Sequence, residues 1–209
     1  MVNVLLITFL ITLFYVAIAN RLLTYVKVLA IQGALLFAIV FIQLNEINTL
    51  NLILILMETI FFKSIAVPVF LAYVIKRNNI TREAEPFLSN FMSLIIVTLI
   101  CVGTILLVNG IEDKQLDKIF FVVALSSLFT GVYFIISRRK LITHVMGYLI
   151  VENGVFILSL ALGSEMTMLV NIGIMLDIFV SVLVLGLFVN RIGDTFEAMN
   201  VDNLSNLKD

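Results

Sequence analysis

Residues 141–162 read LITHVMGYLIVENGVFILSLAL, and how this stretch is read decides the fold. As a helix rising 1.5 Å per residue it would extend about 33 Å, enough to cross a hydrocarbon core of about 30 Å. Glu152 is the one acidic or basic residue in it, and His144 lies about a turn from its start. Gly147, Gly154 and Ala161 recur every seven residues, a small-residue seam that suits close helix packing. His144, Tyr148 and Glu152 recur every four, as a slowly rotating polar stripe. This is the pattern of a membrane-spanning helix packed against protein on at least one face.

The same scan outward gives spans near 3–20, 25–44, 50–75, 87–108, 118–137 and 166–190. The predicted fold class is therefore all-α, a polytopic transmembrane bundle of about seven helices. Composition agrees: 62% of the 209 residues are hydrophobic and 13% charged, against about 25% charged in soluble domains, and the mean hydropathy is +1.17. No segment shows the alternation, about ten residues long, of an outer-membrane strand. The first segment has no Lys or Arg before Arg21 and no small-residue cleavage site after it, so it reads as a retained helix and not a secretory signal. Pro86 is read as opening the fourth helix. Tyr15, Tyr25 and Tyr73 read as interface anchors.

Basic residues set the orientation. One side collects Arg21, Lys27, Lys76, Arg77, Arg82, Arg138, Arg139, Lys140, Arg191 and Lys208; the other has Lys114 and Lys118. The positive-inside rule then puts the N-terminus outside and the C-terminus in the cytoplasm, as a multi-pass membrane protein. The chain divides into N-terminal helices over 1–130 (four to five spans), a pair of helices with buried carboxylates over 131–190, and a cytoplasmic tail over 191–209.

Glu58, Lys63, Glu152 and Asp177 fall inside spans. An Asp, Lys or Arg at a helix centre costs about 2.5–3.5 kcal/mol on insertion scales, so such a group is retained to pair, to bind an ion or to carry a proton. Glu152 lies about 18 Å along its helix, near the midplane, and Asp177 sits at similar depth on the next helix between Gly173 and Ser181. Lys63 precedes Pro68 by five residues; the proline removes a backbone hydrogen bond and frees the Ser64 carbonyl beside the lysine. Glu58 is about 140° around the helix from Lys63 and is not its automatic partner. These residues, with His144, form a candidate proton pathway. The competing readings are packing by neutral carboxyls at Glu152 or Asp177, an ion pair for Lys63, and interfacial packing for His144.

Other chemistry is excluded by what the chain lacks. A net charge of −1 and no basic run argue against a nucleic acid partner. One cysteine (Cys101, in an apolar run) and one histidine cannot hold a redox centre, and no phosphate loop or nucleophile set is present. No catalytic residue, metal or cofactor is expected on this chain.

Residues 137–142 (SRRKLI), 147–154 (GYLIVENG), 171–177 (NIGIMLD), Arg191-Ile192 and 200–208 (NVDNLSNLK) resemble component E of hydrogenase-4, from the group 4, formate-hydrogenlyase-type membrane complexes. Lys63 with Pro68 looks like that family's Lys-x4-Pro. Residues 131–209 are also similar to the K subunit of respiratory complex I and the C subunit of multisubunit Na⁺/H⁺ antiporters. Against the K subunit there is a departure: Leu149 stands where its glutamate follows the glycine, Glu152 lies one turn on, and Asp177 replaces the third-helix glutamate. The resemblance implies a membrane subunit of a redox-driven ion-translocating complex in the cytoplasmic (inner) membrane of a prokaryote, with Glu152 and Asp177 as proton carriers and Lys63 and His144 as relays. It implies antiporter-like and complex I-like membrane partners, and a hydrophilic arm carrying iron–sulfur clusters and a NiFe centre. An antiporter subunit that moves sodium and a passive scaffold remain the alternatives.

Overall fold

The computed structural model describes residues 1–43, 58–77, 87–111, 117–138 and 140–161. Among these residues all regular structure is helical. Helix α1 spans Val2–Ile18 and α2 spans Leu22–Gln43. The third, α3, is a π-helical segment Glu58–Ala66 that continues as an α-helix over Val67–Arg77. Then follow α4, Asn90–Asn109, α5, Lys118–Ser137, and α6, Leu141–Ala161. Five of the six are long and apolar enough to cross a membrane, whereas α1 is an apolar helix of 17 residues, at the lower limit for a span. The chain is a polytopic membrane protein. The predicted seventh span, 166–190, lies outside the described residues.

Two expectations need correction. The fourth helix starts at Asn90, not at Pro86, because Ser89 takes the N-cap position and its hydroxyl accepts a hydrogen bond from the Met92 N–H. Tyr25 is not an interface anchor. Its side chain is buried, its hydroxyl donates to the Ala19 carbonyl, and its ring meets Phe134 edge-on. Arg138, one of the basic residues counted for orientation, is buried beside it, with its guanidinium 5.9 Å from the Tyr25 ring centroid and 5.5 Å from that of Phe134. Aromatic faces attract a cation at this range, which is why a loop arginine and a tyrosine at a helix start turn inward together.

Contacts at one end gather the α1–α2 turn, the start of α4 and the α5–α6 turn. Asn90 donates to the Ile18 carbonyl and to Asn20 Oδ1, and the Phe87 N–H donates to the Ser137 carbonyl. Arg21, Arg138 and Lys140 belong to these turns, so this is called the basic end below.

The most extensive packing is between antiparallel α5 and α6. A Cβ on Gly131 would stand 2.7 Å from the Gly147 carbonyl oxygen, and one on Gly154 would stand 2.9 Å from the Leu128 nitrogen. These obstacles are backbone atoms and cannot swing away. The seven-residue repeat of Gly147 and Gly154 is therefore the seam on which α6 meets α5, reinforced by a hydrogen bond from Ser127 Oγ to the Ile150 carbonyl at 2.8 Å. By contrast α4 turns Phe91, Leu99, Val102, Leu106 and Leu107 outward, an apolar face suited to hydrocarbon. Gly131→Ala should destabilise the purified protein by about 1–3 kcal/mol, the usual cost of overpacking. Gly103→Ala, where an added Cβ meets nothing within 4 Å, should gain about 0.5–1 kcal/mol. Denaturation of both variants in mild detergent, compared with the parent, is the measurement.

Candidate functional site

Lys63 and Glu152, 89 positions apart in sequence, meet inside the bundle. Lys63 Nζ lies 3.3 Å from Glu152 Oε1, and both side chains are almost wholly enclosed, 7% and 4% exposed. The Phe156 ring centroid is 4.8 Å from the same ammonium. Phe156 follows Glu152 by one turn on α6, so a single helix face supplies both the carboxylate and the ring that hold the cation.

The backbone brings this about on the lysine side. A Cβ on Gly33 would stand 2.7 Å from both the Lys63 carbonyl carbon and the Ser64 nitrogen, so α2 touches the Lys63–Ser64 peptide directly. Ser64 Oγ then donates to the Ala30 carbonyl at 3.2 Å. Lys63 belongs to the π-helical segment that ends just before Pro68. A proline ring crowds the carbonyl four residues back, and a widened helix upstream is one way to accommodate it. π-Helical turns concentrate at functional sites.

A second polar layer lies beside the ion pair. Asn153 Nδ2 donates to Gln32 Oε1 at 3.1 Å, and Gln32 Nε2 donates to Thr12 Oγ1 at 2.8 Å. The Thr12 hydroxyl donates in turn to the Phe9 carbonyl. Gln32 is fully enclosed, and Thr12 and Asn153 are buried. This layer ties α6 to α2 and α2 to α1 at the residue next to Glu152.

Of the five residues expected in a proton pathway, the structure brings together two, Lys63 and Glu152. His144 is half-buried in the first turn of α6, with no hydrogen-bond partner for Nδ1 among the described residues. It is eight residues from Glu152, about 12 Å along the axis. Glu58 is the first residue of the π-helical segment, and its side chain lies outside what the structure describes. Asp177 also lies outside the described residues. Among the described residues no group of three or more His, Cys, Asp or Glu side chains could hold a metal. Sequence reading missed Gln32, Asn153 and Thr12 because it followed ionisable groups alone. An uncharged amide in so apolar a span is itself a signal, since an unsatisfied amide in lipid costs several kcal/mol.

No family model matches the chain, and no solved structure matches it significantly. It is 23% identical over 187 residues to an uncharacterized protein of Mycobacterium tuberculosis, covering 88% of this chain and 85% of that one. It is 34% identical over 86 residues to hydrogenase-4 component E of Escherichia coli K12, covering 41% of this chain and 40% of that protein. The component E of Shigella flexneri matches to the same extent. The chain thus carries a partial, weak similarity to hydrogenase-4 component E, over two fifths of that protein's length.

Removing one partner of a buried ion pair strands the other charge, at about 3–5 kcal/mol. Glu152→Leu and Lys63→Met should each destabilise the protein to that extent, and the double variant should recover most of the loss. Unfolding of the two single variants and the double variant in detergent closes the cycle. Additive losses would show that the two side chains do not interact.

Proposed function

We propose that this chain is a membrane subunit of a redox-driven ion-translocating complex of the group 4 hydrogenase type, and that Lys63 and Glu152 form part of its proton pathway. The observation that carries this reading is the enclosed ion pair. Lys63 and Glu152 exchange one proton between two states, ammonium with carboxylate and amine with carboxylic acid. The first gains Coulomb energy and the second avoids burying charge, and in a low-dielectric interior these terms oppose each other at similar size. A proton delivered to Glu152 from elsewhere cancels its attraction for Lys63 and leaves a buried cation. The lysine then releases its own proton onward. That is a relay, worked by two residues that cost the fold energy to bury.

Proton transfer is favoured over sodium by the same contact: the lysine ammonium occupies the carboxylate position that a sodium ion would need. Asp177 serves as a further carrier in this reading, His144 serves the basic end, and Glu58 serves the approach to Lys63 from the opposite side. The orientation is the one the basic residues give, with the basic end cytoplasmic. The similarity to hydrogenase-4 component E supports partners of two kinds. Antiporter-like and complex I-like membrane subunits flank the chain, and a hydrophilic arm with iron–sulfur clusters and a NiFe centre carries the electrons.

Purification of the tagged chain from native membranes in mild detergent, with mass spectrometry and nickel and iron analysis, should recover such an arm. In that complex Glu152→Gln, which unlike Glu152→Leu keeps an oxygen to accept a hydrogen bond from Lys63, should leave assembly and metal content intact and cut proton translocation by about a hundredfold, the lower range for loss of a positioned acid–base group. Unchanged translocation in an assembled complex would reduce the chain to a scaffold. Sodium-dependent activity without metal-containing partners would make it an antiporter subunit.

A further inference from the structure

A second line of buried polar groups lies on the other side of α5, away from the ion pair. Ser126, Thr130, Tyr133 and Ser137 are spaced four, three and four residues apart, so their hydroxyls form one stripe. Ser126, Thr130 and Ser137 are buried and Tyr133 half-buried. Helix α4 answers with Ser93, Cys101 and Thr104 on its own buried seam. Thr104 Oγ1 and Ser126 Oγ are 2.7 Å apart, Cys101 shares Ser126 as a hydrogen-bond partner, and Tyr133 OH donates to Ser93 Oγ at 2.8 Å.

Between and beyond these bridges the stripe is unfinished. Thr130 Oγ1 and Ser137 Oγ are buried and have no hydrogen-bond partner among the described residues. A helical Thr or Ser ordinarily satisfies itself on a carbonyl three or four residues back. Thr8, Thr12, Thr98, Thr104 and Ser159 all do so here. Thr130 and Ser137 do not, although an unsatisfied buried hydroxyl costs about 1–3 kcal/mol.

We infer that the α4–α5 interface binds a line of water that completes these hydroxyls and forms an aqueous track into the bundle. Water is the ligand that fits, being small, apt to both donate and accept, and stable on two to four polar partners. Successive residues of the stripe are about 4.5–6 Å apart along the axis, and one bridging water with two hydrogen bonds of about 2.8 Å spans a gap of that size. The track reaches the basic end at Ser137, next to Arg138. Its inner end is level with Glu152, because Ser127 beside Ser126 bonds to the Ile150 carbonyl two residues from that glutamate. Past Thr104 and Ser126 the interface turns apolar. Val108, Phe120 and Val123 are buried there, and a cavity of about 280 Å³ at that end has Ile7, Leu10, Ile105, Val108, Asn109 and Lys118 in its lining. Ser126 is thus the last hydroxyl of the stripe toward that end, and Ser137 the last toward the basic end. The track's purpose rests on the proposed proton pathway; its hydration does not.

Silver ion is the probe, applied to the full chain in detergent and read by the loss of maleimide labelling after unfolding. Thr130→Cys in a Cys101→Ala background should lose its labelling as completely as Phe87→Cys, which is exposed. Leu36→Cys in the α2 core should keep it. Native Cys101 applies the same test with no substitution and should also be blocked. Labelling of Thr130→Cys and Cys101 retained as fully as in Leu36→Cys would overturn the track. Thr130→Val separates the cases again: it raises the unfolding temperature of a dry seam and lowers that of a hydrated one. None of these readouts depends on Glu152, so a failed track and a failed proton pathway give different patterns.

Discussion

An ammonium and a carboxylate in the middle of a bilayer leave a fold few options: they must meet, and they must be kept from water and lipid once they have met. The 3.3 Å contact between Lys63 and Glu152 accounts for features that otherwise look unrelated. The glycine of α2 sits at position 33 because a side chain there would push the Lys63–Ser64 peptide away and draw the ammonium out of reach. Ser64 spends its hydroxyl on the Ala30 carbonyl, locking that approach. Phe156 covers the lysine with the face of a ring, so a cation that gives up water keeps a second source of attraction. Each device lowers the cost of a group that the membrane would otherwise expel.

Helix α6 can serve this pair because its faces are divided. Gly147 and Gly154 bring one face against α5 at backbone distance, and Glu152, Asn153 and Phe156 point to α2 and α3. Without a hydrophobic driving force between helices in lipid, close packing and hydrogen bonds hold them together. Here the α5–α6 seam supplies the first and the Asn153–Gln32–Thr12 layer supplies the second. Helix α5 is divided in the same way, glycine toward α6 and hydroxyls toward α4. The bundle is thus organised by what each helix face can satisfy, more than by hydrophobicity, which hardly varies around these helices.

That division explains what the sequence disclosed. Spans were legible because about 20 apolar residues between charged breaks have few other uses; α5 and α6 begin and end within a residue of their predicted limits. The seam at Gly147 and Gly154 was legible from its period alone. Glu152 and Lys63 stood out because charge in lipid is expensive. Their pairing did not, since nothing in a sequence says which helices adjoin, and α3 and α6 are separated by two further helices. The inward turn of Arg138 and Tyr25 was hidden for a related reason: at a helix end, a residue facing protein and one facing the headgroups have the same neighbours in sequence. The π-helical register before Pro68 left no trace beyond the proline, because a ring that crowds the carbonyl four residues back does not dictate how the upstream turns make room for it.

The amide layer next to the pair is suited to positioning and not to passing protons. Every donor in it points one way, from Asn153 through Gln32 and Thr12 to the Phe9 carbonyl. Passing a proton along such a chain would require each amide to give up an N–H and accept at its carbonyl, a tautomer change far more costly than the hydrogen bonds at stake. The layer therefore keeps its shape whatever the protonation of the pair beside it. It fixes the rotation of α6 at residue 153, and residue 152 follows. The hydrogen bonds that hold the backbone around Lys63 and Glu152 thus belong to groups that do not titrate.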